Sequence, residues 1–229
     1  MDESRHPIWE GASIVALGAF NPKIFHPQWF ARNELIRGTE AEQAEVHVVS
    51  ADFAFVEFGR FVLKATQHRF SVETVDPRMQ HGPLKDLVSG TFTVLEHTPI
   101  NAFGFNSKKT FRLPRGMSWR EFSGHFAPEG NWTGLLLEPS VNMLTVRGTR
   151  QNCHADRIQI SVHPDGGQDG GVAISLNEHY EVSADRDNLP SDPADMFVMQ
   201  LRDTWDDFLS YSRVAADQLL DIDSSGPNS

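Results

Sequence analysis

The stretch from Val46 to Val75 (VHVVSADFAFVEFGRFVLKATQHRFSVETV) decides the fold, because apolar residues recur in it at alternate positions. Breaks interrupt this alternation at 50–52, 59–60 and 67–68. Alternation with period two is typical of strands buried on one face, and closely spaced breaks are typical of tight turns. The stretch therefore predicts an antiparallel meander with one covered and one uncovered face.

The rest of the chain is predicted to continue as a succession of strands and helices. Short apolar runs predict strands at 13–20, 100–113, 134–138, 143–148, 157–162 and 171–182. Apolar residues at helical spacing, together with start signals, predict helices at 27–36, at 84–95, after Ser118 and after Asp192. Residues 40–45 are predicted to be a polar connection. Ser118 and Glu121 form a capping-box pattern, and Asp192 or Ser191 precedes a proline suited to the first helical turn.

An internal repeat is predicted because short segments recur in the same order along the chain. The segment at 69–72 (RFSV) is matched at 157–160 (RIQI), and the segment at 63–66 (LKAT) is matched at 146–149 (VRGT). A third segment, at 55–58 (FVEF), is matched at 136–139 (LLEP). The similar separation of these matches favours a tandem duplication over a chance likeness between two meanders.

We therefore predict an α+β fold of two tandem diverged repeats, residues 1–98 and 99–221, which can pack as one domain. Each repeat is expected to run strand, short helix, antiparallel meander, helix. The second copy would have an extra strand at 171–182 and a longer final helix. Together the copies would form one curved sheet with its helices on one face. The polar residues 222–229 are predicted to be a disordered tail.

Two resemblances accompany this element order. The order is similar to the tandem-repeat architecture of the TATA-box-binding protein and its relatives, although no residue motif of that family occurs. The succession of strands and helices around Phe105, Asn106 and around Leu176, Asn177 resembles a sporadically distributed group of uncharacterised bacterial proteins. Genes of that group often lie near mobile or defence genes, so the resemblance implies a component of a bacterial defence or mobile-element system.

Composition and charge exclude several classes of protein. The hydrophobic content of 39% indicates a folded chain, and no apolar run approaches the ~20 residues of a membrane helix. The first ten residues lack the basic and apolar regions of a secretory signal. The single cysteine, Cys153, excludes an internal disulfide and fits a reducing compartment, so we expect a cytoplasmic protein without membrane association.

The basic middle of the chain is the first candidate site. Residues 60–120 hold 10 Lys and Arg against 4 Asp and Glu, whereas the whole chain has a net charge of −11. Cations interleaved with aromatic residues are typical of nucleic-acid surfaces, and ordinary sheet composition is the alternative interpretation. The candidate ligand-binding cations are Lys64, Arg69, Lys108, Lys109 and Arg112, and the interleaved rings are Phe61, Phe70, Phe105, Phe111 and Trp119.

A polar patch in a predicted strand is the second candidate site. Alternation places Asn177, His179 and Glu181 on one face. A histidine beside a carboxylate can act as a general base, and a solvated sheet face is the alternative interpretation. Cys153 and His154 lie in a predicted turn with too few further ligands for zinc, so we expect neither a metal nor a cofactor.

No complete catalytic, metal-binding or nucleotide-binding motif occurs in the sequence. The prediction is therefore a non-enzymatic binding or adaptor protein that recognises another macromolecule through its open sheet face or its acidic final helix. A protein partner or a homo-oligomer is expected. The alternatives are a nucleic-acid-binding protein that uses the basic middle, and an enzyme with a site near the junction of the repeats around Asn177 and His179.

Overall fold

The computed structural model describes residues 6–74, 81–113, 117–151, 155–166, 170–182 and 192–221. Over these ranges the chain has an α+β fold with one antiparallel sheet of nine strands and five α-helices. The strands are β1 Trp9–Gly18, β2 Glu45–Val49, β3 Phe53–Glu57, β4 Phe61–Thr66, β5 Arg69–Thr74, β6 Ile100–Arg112, β7 Leu144–Gly148, β8 Arg157–Asp165 and β9 Gly171–Glu181. The helices are α1 Pro27–Arg32, α2 Gly38–Gln43, α3 Gly82–Val94, α4 Trp119–Gly124 and α5 Pro193–Leu220.

The two long strands β1 and β6 lie side by side in the centre of the sheet, whose order is β2-β3-β4-β5-β1-β6-β9-β8-β7. They pair antiparallel from Trp9 opposite Thr110 to Gly18 opposite Ile100. On one side the strands β2, β3, β4 and β5 run in chain order from the edge to the centre, where β5 pairs with β1. On the other side β7, β8 and β9 do the same, and β9 pairs with β6. The strands β2 and β7 form the two edges.

Helices cover one face of the sheet. Helices α3 and α5 pack against each other and lie over β1, β5, β6 and β9. Alternating side chains such as Ile14, Val72 and Phe105 point to this layer, and none of these three is more than 1% exposed. Helix α4 closes a smaller apolar cluster in which Phe122 meets Phe111 at the other end of the sheet. The alternate side chains of each strand point away from the helices, to the opposite face of the sheet. We call this the open face.

Several predictions are confirmed. The meander at 46–75 forms β2 to β5, and the predicted segments 84–95 and 100–113 correspond to α3 and β6. The Ser118 Oγ accepts a hydrogen bond from the Glu121 backbone N–H at 3.2 Å, as a capping box requires. Helix α5 begins at Pro193 with Asp192 as its N-cap residue.

Three local predictions are wrong. Residues 40–45 are not a connection, because helix α2 begins at Gly38 and the Glu40 carboxylate accepts from the Arg37 backbone N–H at 3.0 Å. Helix α1 stops at Arg32, where the Asn33 side chain donates to the Trp29 carbonyl. Residues 134–138 form turns rather than a strand, because the Leu135 and Leu136 backbone N–H groups both donate to the Trp132 carbonyl.

The segment matches that predicted the repeat fall on strands that are not equivalent in the sheet. The matched segments 69–72 and 157–160 lie in β5 and β8, but the strand beside β6 is β9. The predicted extra strand at 171–182 is therefore the counterpart of β5 by position. The match at 136–139 lies in the turn region. The predicted tail 222–229 and the residues Cys153 and His154 lie outside the described residues.

Candidate binding site on the open sheet face

A row of polar side chains crosses four neighbouring strands on the open face. The strand registers place Ser13 of β1 opposite Asn106 of β6, and Asn106 opposite Asn177 of β9. Gln159 of β8 lies opposite Asn177 on the other side. All four side chains are half-buried, whereas asparagine and glutamine side chains on a protein surface are mostly exposed. We call this set, Ser13, Asn106, Asn177 and Gln159, the polar row.

Hydrogen bonds fix the orientation of the polar row. The Asn106 Nδ2 donates to Ser13 Oγ at 3.2 Å, and the Asn177 Nδ2 donates to Asn106 Oδ1 at 2.8 Å. At the far end Gln159 Oε1 accepts from the Arg147 Nε at 2.8 Å. This chain of bonds uses the Asn177 amide as a donor, so its Oδ1 is left as an acceptor on the sheet surface. The row is therefore pre-oriented toward whatever lies above it.

The polar row forms the floor of a groove of about 520 Å³. One end of the groove is lined by Trp9, whose indole lies on the backbone of Gly11. A Cβ at Gly11 would come within 2.4 Å of the Trp9 ring, so only glycine allows this ring position. The Lys108 Nζ lies 5.9 Å from the centre of the same ring, within the range of a cation–π interaction.

A second depression of about 310 Å³ adjoins the groove on the side of β4 and β5. Ser13 and Glu73 line both spaces. In this depression the Lys64 Nζ pairs with Glu73 Oε1 at 2.9 Å and lies 5.5 Å from the Phe55 ring centre. The open face therefore offers one extended surface with amides in its middle and cations beside aromatic rings toward two of its ends.

The structure distributes the predicted site residues between the two faces. Lys108 and Asn177 line the groove, and Lys64 and Arg69 line the adjoining depression. Register places Arg112 on the same face at the end of β6. His179 also follows the open face and lies 2.6 Å from Glu181 Oε1, but neither residue lines the groove.

Lys109 is the one predicted residue on the helix-covered face. It is 2% exposed, and its Nζ donates to Ser107 Oγ at 2.8 Å and to Ser212 Oγ at 2.7 Å. The Glu10 carboxylate lies 3.4 Å from this ammonium and 3.6 Å from the His81 Nε2. Hydrogen bonding from His81, aided by the charge of Lys109, lowers the pKa of Glu10 to about 2. Burial lowers the pKa of Lys109, and Glu10 opposes that shift.

This group, the buried Lys109 with the half-buried Glu10 and His81, joins β1 and β6 to the start of α3, and Ser212 connects it to α5. A lysine so placed holds elements together and cannot reach a ligand on the open face. The interleaved rings Phe61, Phe70, Phe105 and Phe111 are also buried. They stabilise the core and offer no stacking surface, whereas the ring beside Lys108 is that of Trp9.

Sequence reasoning missed Trp9, Ser13, Gln159 and Ser175 as residues of the site, and it noted Asn106 only for a resemblance. The usable signal is polar residues at alternate positions in otherwise apolar strands, as in 104–108 and 175–179. The pairing that brings them into one row depends on strand registers. A single sequence does not specify those registers for strands so far apart in the chain.

A cluster of possible metal ligands, Glu45, His47 and Glu57, lies on the β2 edge with ligand atoms within 4.8 Å of one another. The Glu57 carboxylate meets the His47 Nε2 at 3.0 Å, and the Glu45 carboxylate meets the Nδ1 at 3.7 Å. The two carboxylates thus approach opposite sides of the imidazole rather than a shared point. Each carboxylate contacts a different ring nitrogen of His47, and we assign no metal to the arrangement.

No protein-family model matches the chain, and no curated protein matches it in sequence. Across the described residues, no helix is both long enough and apolar enough to cross a membrane. The open face is therefore the feature from which a function can be inferred.

Proposed function

We propose that the protein is a non-enzymatic binding or adaptor protein that recognises another macromolecule with its open sheet face. The observation that carries the proposal is the polar row at the floor of the groove. Amide side chains each provide a donor and an acceptor, and here their orientation is fixed before a ligand arrives. The groove volume is within the ~300–1,000 Å³ that is typical of binding sites.

The chemistry of the groove favours binding over catalysis. Its floor consists of amides and hydroxyls, which do not exchange protons near neutral pH. The acid that lines it, Glu73, is paired with Lys64. His179, the predicted general base, lies outside the groove and is engaged by Glu181.

We propose a polypeptide as the macromolecule. Amide side chains in a row across the strands can donate to and accept from the backbone groups of an extended peptide that lies over the sheet. Trp9 would contact an apolar or cationic side chain of the partner, because the indole joins a large apolar area to one donor.

The proposal is tested by affinity purification of the tagged full-length chain from the organism that encodes it, with quantitative mass spectrometry. The test variant is Asn106→Ala combined with Asn177→Ala, which removes the middle of the polar row. The control is Asp203→Ala on the exposed side of α5, because the acidic helix is the competing surface. We expect the double variant to lose a stoichiometric partner that the control retains. Loss with the control alone, or no partner for the wild type, contradicts the proposal.

A single-stranded nucleic acid is the second candidate, favoured by Lys108 beside Trp9 and Lys64 beside Phe55 on the same face. Such binding would weaken steeply with salt. Lys64→Ala with Lys108→Ala should then reduce the salt dependence of oligonucleotide binding, and Lys23→Ala, an exposed lysine away from the groove, should not. No binding at low salt would exclude this candidate.

We infer further that the two halves are diverged tandem copies. The sheet order supports this, because each half has a central strand, a helical connection, outer strands that return to it and a helix. If the inference is right, β1, β3 to β5 and α3 superpose on β6 to β9 and α5 by a rotation of about half a turn. A best superposition that matches these strands in any other order would refute it.

A further inference from the structure

The two edges of the sheet differ in how they are protected against pairing. On β2 the polar residues Glu45 and His47 lie beside the Glu57 carboxylate, and the register shifts between Val46 and Val48. Charges and irregular register are devices that keep edge strands from pairing with another chain. Strand β7 pairs with β8 without a register shift and contains one charged residue, Arg147. Its outer row of backbone N–H and C=O groups is therefore a regular template for another strand.

An exposed apolar patch adjoins the β7 edge. Its six large side chains are all at least 46% exposed: Trp132, Leu135, Leu136, Leu137, Met143 and Val146. Leu137 is 98% exposed, and the next residue, Glu138, has a φ of 49°, a conformation that L residues adopt at a cost. A groove of about 450 Å³ runs between this segment and α4 and ends at Leu144 of β7. Trp132, Leu136 and Met143 line this groove together, and exposed apolar surface of this kind marks an interaction site.

We propose that β7 pairs antiparallel with β7 of a second copy, around a twofold axis through Thr145. Thr145 would then face its own symmetry mate, a favourable cross-strand pair on the open side of the sheet. Leu144 of each copy would face Val146 of the other copy. Both contacts would lie on the helix-covered side of the sheet, beside the exposed patch. Each copy supplies the same surface, so the contact closes as a dimer.

Charge favours a second copy at this edge over the other one. Around Thr145, Arg147 would lie opposite Met143 of the second copy and far from its own symmetry mate. Arg120 and Glu129 at the rim of the groove are already paired with each other. A chain of net charge −11 repels itself over most of its surface, and a pair of β2 edges would place Glu45 of each copy in the contact, whereas β7 contains no carboxylate. The β7 edge is where two acidic chains can meet without opposing carboxylates.

The dimer is tested by sedimentation equilibrium of the full chain. Val146→Lys places a charge in the proposed contact, and Val46→Lys is the matched control at the β2 edge, since both valines are exposed edge-strand residues. We expect the wild type and Val46→Lys to be dimers at roughly 100 µM, and Val146→Lys to have a dissociation constant at least about tenfold higher. A monomeric wild type, or equal effects of the two substitutions, overturns the proposal.

Hydrogen–deuterium exchange of the wild type gives a second readout that does not depend on the folding of a variant. Amides of 144–148 should exchange more slowly as protein concentration rises, and amides of 45–49 should not. Exchange of 144–148 that is independent of concentration would overturn the contact. The groove on the open face is not covered by this pairing, so loss of dimerisation and loss of partner binding are distinguishable.

Discussion

Lys108 and Lys109 are neighbours in the chain, but they belong to different faces of the sheet and have different environments. Lys109 is 2% exposed and is surrounded by Ser107, Ser212 and Glu10, whereas Lys108 is exposed beside Trp9. Phe105 and Asn106, earlier in β6, show the same contrast. The Phe105 ring is in the core, and the Asn106 amide lines the groove. The comparison teaches that residue type and sequence position together do not assign a role until the face is known.

The largest difference between the faces is expected for Phe105 and Asn106. Phe105→Ala should lower the free energy of unfolding by about 4 kcal/mol, because it opens a cavity among Trp205, Phe208 and Tyr180. Asn106→Ala should cost about 1 kcal/mol, since only surface hydrogen bonds are lost. Urea denaturation measures both. Equal losses would mean that the two faces are packed alike.

A smaller difference in the free energy of unfolding is expected between substitutions of two glutamates. Glu10→Gln removes the buried counter-ion of Lys109 and should lower the free energy of unfolding by about 3 kcal/mol. Glu73→Gln removes an exposed partner of Lys64 and should change it by less than ~1 kcal/mol. Chemical denaturation at neutral pH gives both values. A large effect at Glu73 with none at Glu10 would reverse the assignment of the faces.

The pH dependence of stability sharpens the same comparison. The pKa of Glu10 is lowered from 4.5 to about 2 by His81 and Lys109, so the folded state holds the carboxylate more tightly ionised than the unfolded state does. The stabilisation is present above the unfolded value and is lost as the pH falls from about 4.5 toward 2. Wild type should therefore lose stability more steeply across that range than Glu10→Gln. Parallel curves would show that Glu10 is not ionised preferentially in the folded protein.

Much of the fold was predictable because local physics specifies it. The alternation in 46–75 predicts β2 to β5, and Ser118 with Glu121 predicts the start of α4. The turns at 134–138 were not predictable as such, since an apolar run can also satisfy its backbone groups locally, as Leu135 and Leu136 do with the Trp132 carbonyl. The helix at 38–43 has few apolar residues, so its sequence carried no periodic signal.

The candidate site was predictable only in part, for a related reason. Lys64, Lys108 and Asn177 stood out by charge or polarity, and the structure places all three on the open face. Lys109 stood out equally but is buried, because its neighbours in space come from β1 and α5. Trp9 and Gln159 gave no signal, since their contribution depends on which strands they pair with, β6 for Trp9 and β9 for Gln159.

Only a small effect on stability is expected at the centre of the polar row. Asn177→Ala should change the free energy of unfolding by about 1 kcal/mol, because the side chain donates one well-formed hydrogen bond to Asn106. The same substitution should nevertheless reduce partner recovery severalfold if the open face is the recognition surface. Thermal denaturation and quantitative affinity purification on one preparation measure the two effects. A large loss of stability would assign Asn177 to the structure instead.

The central claim is that the partner is bound by the open face rather than by the helix layer. Site-specific photocrosslinking tests it most directly, with a photoreactive amino acid at Ser175 in the groove or at Met199, which is 56% exposed on α5. The account predicts a discrete crosslinked partner from position 175 and none from position 199. A partner captured from position 199 and not from position 175 would contradict it.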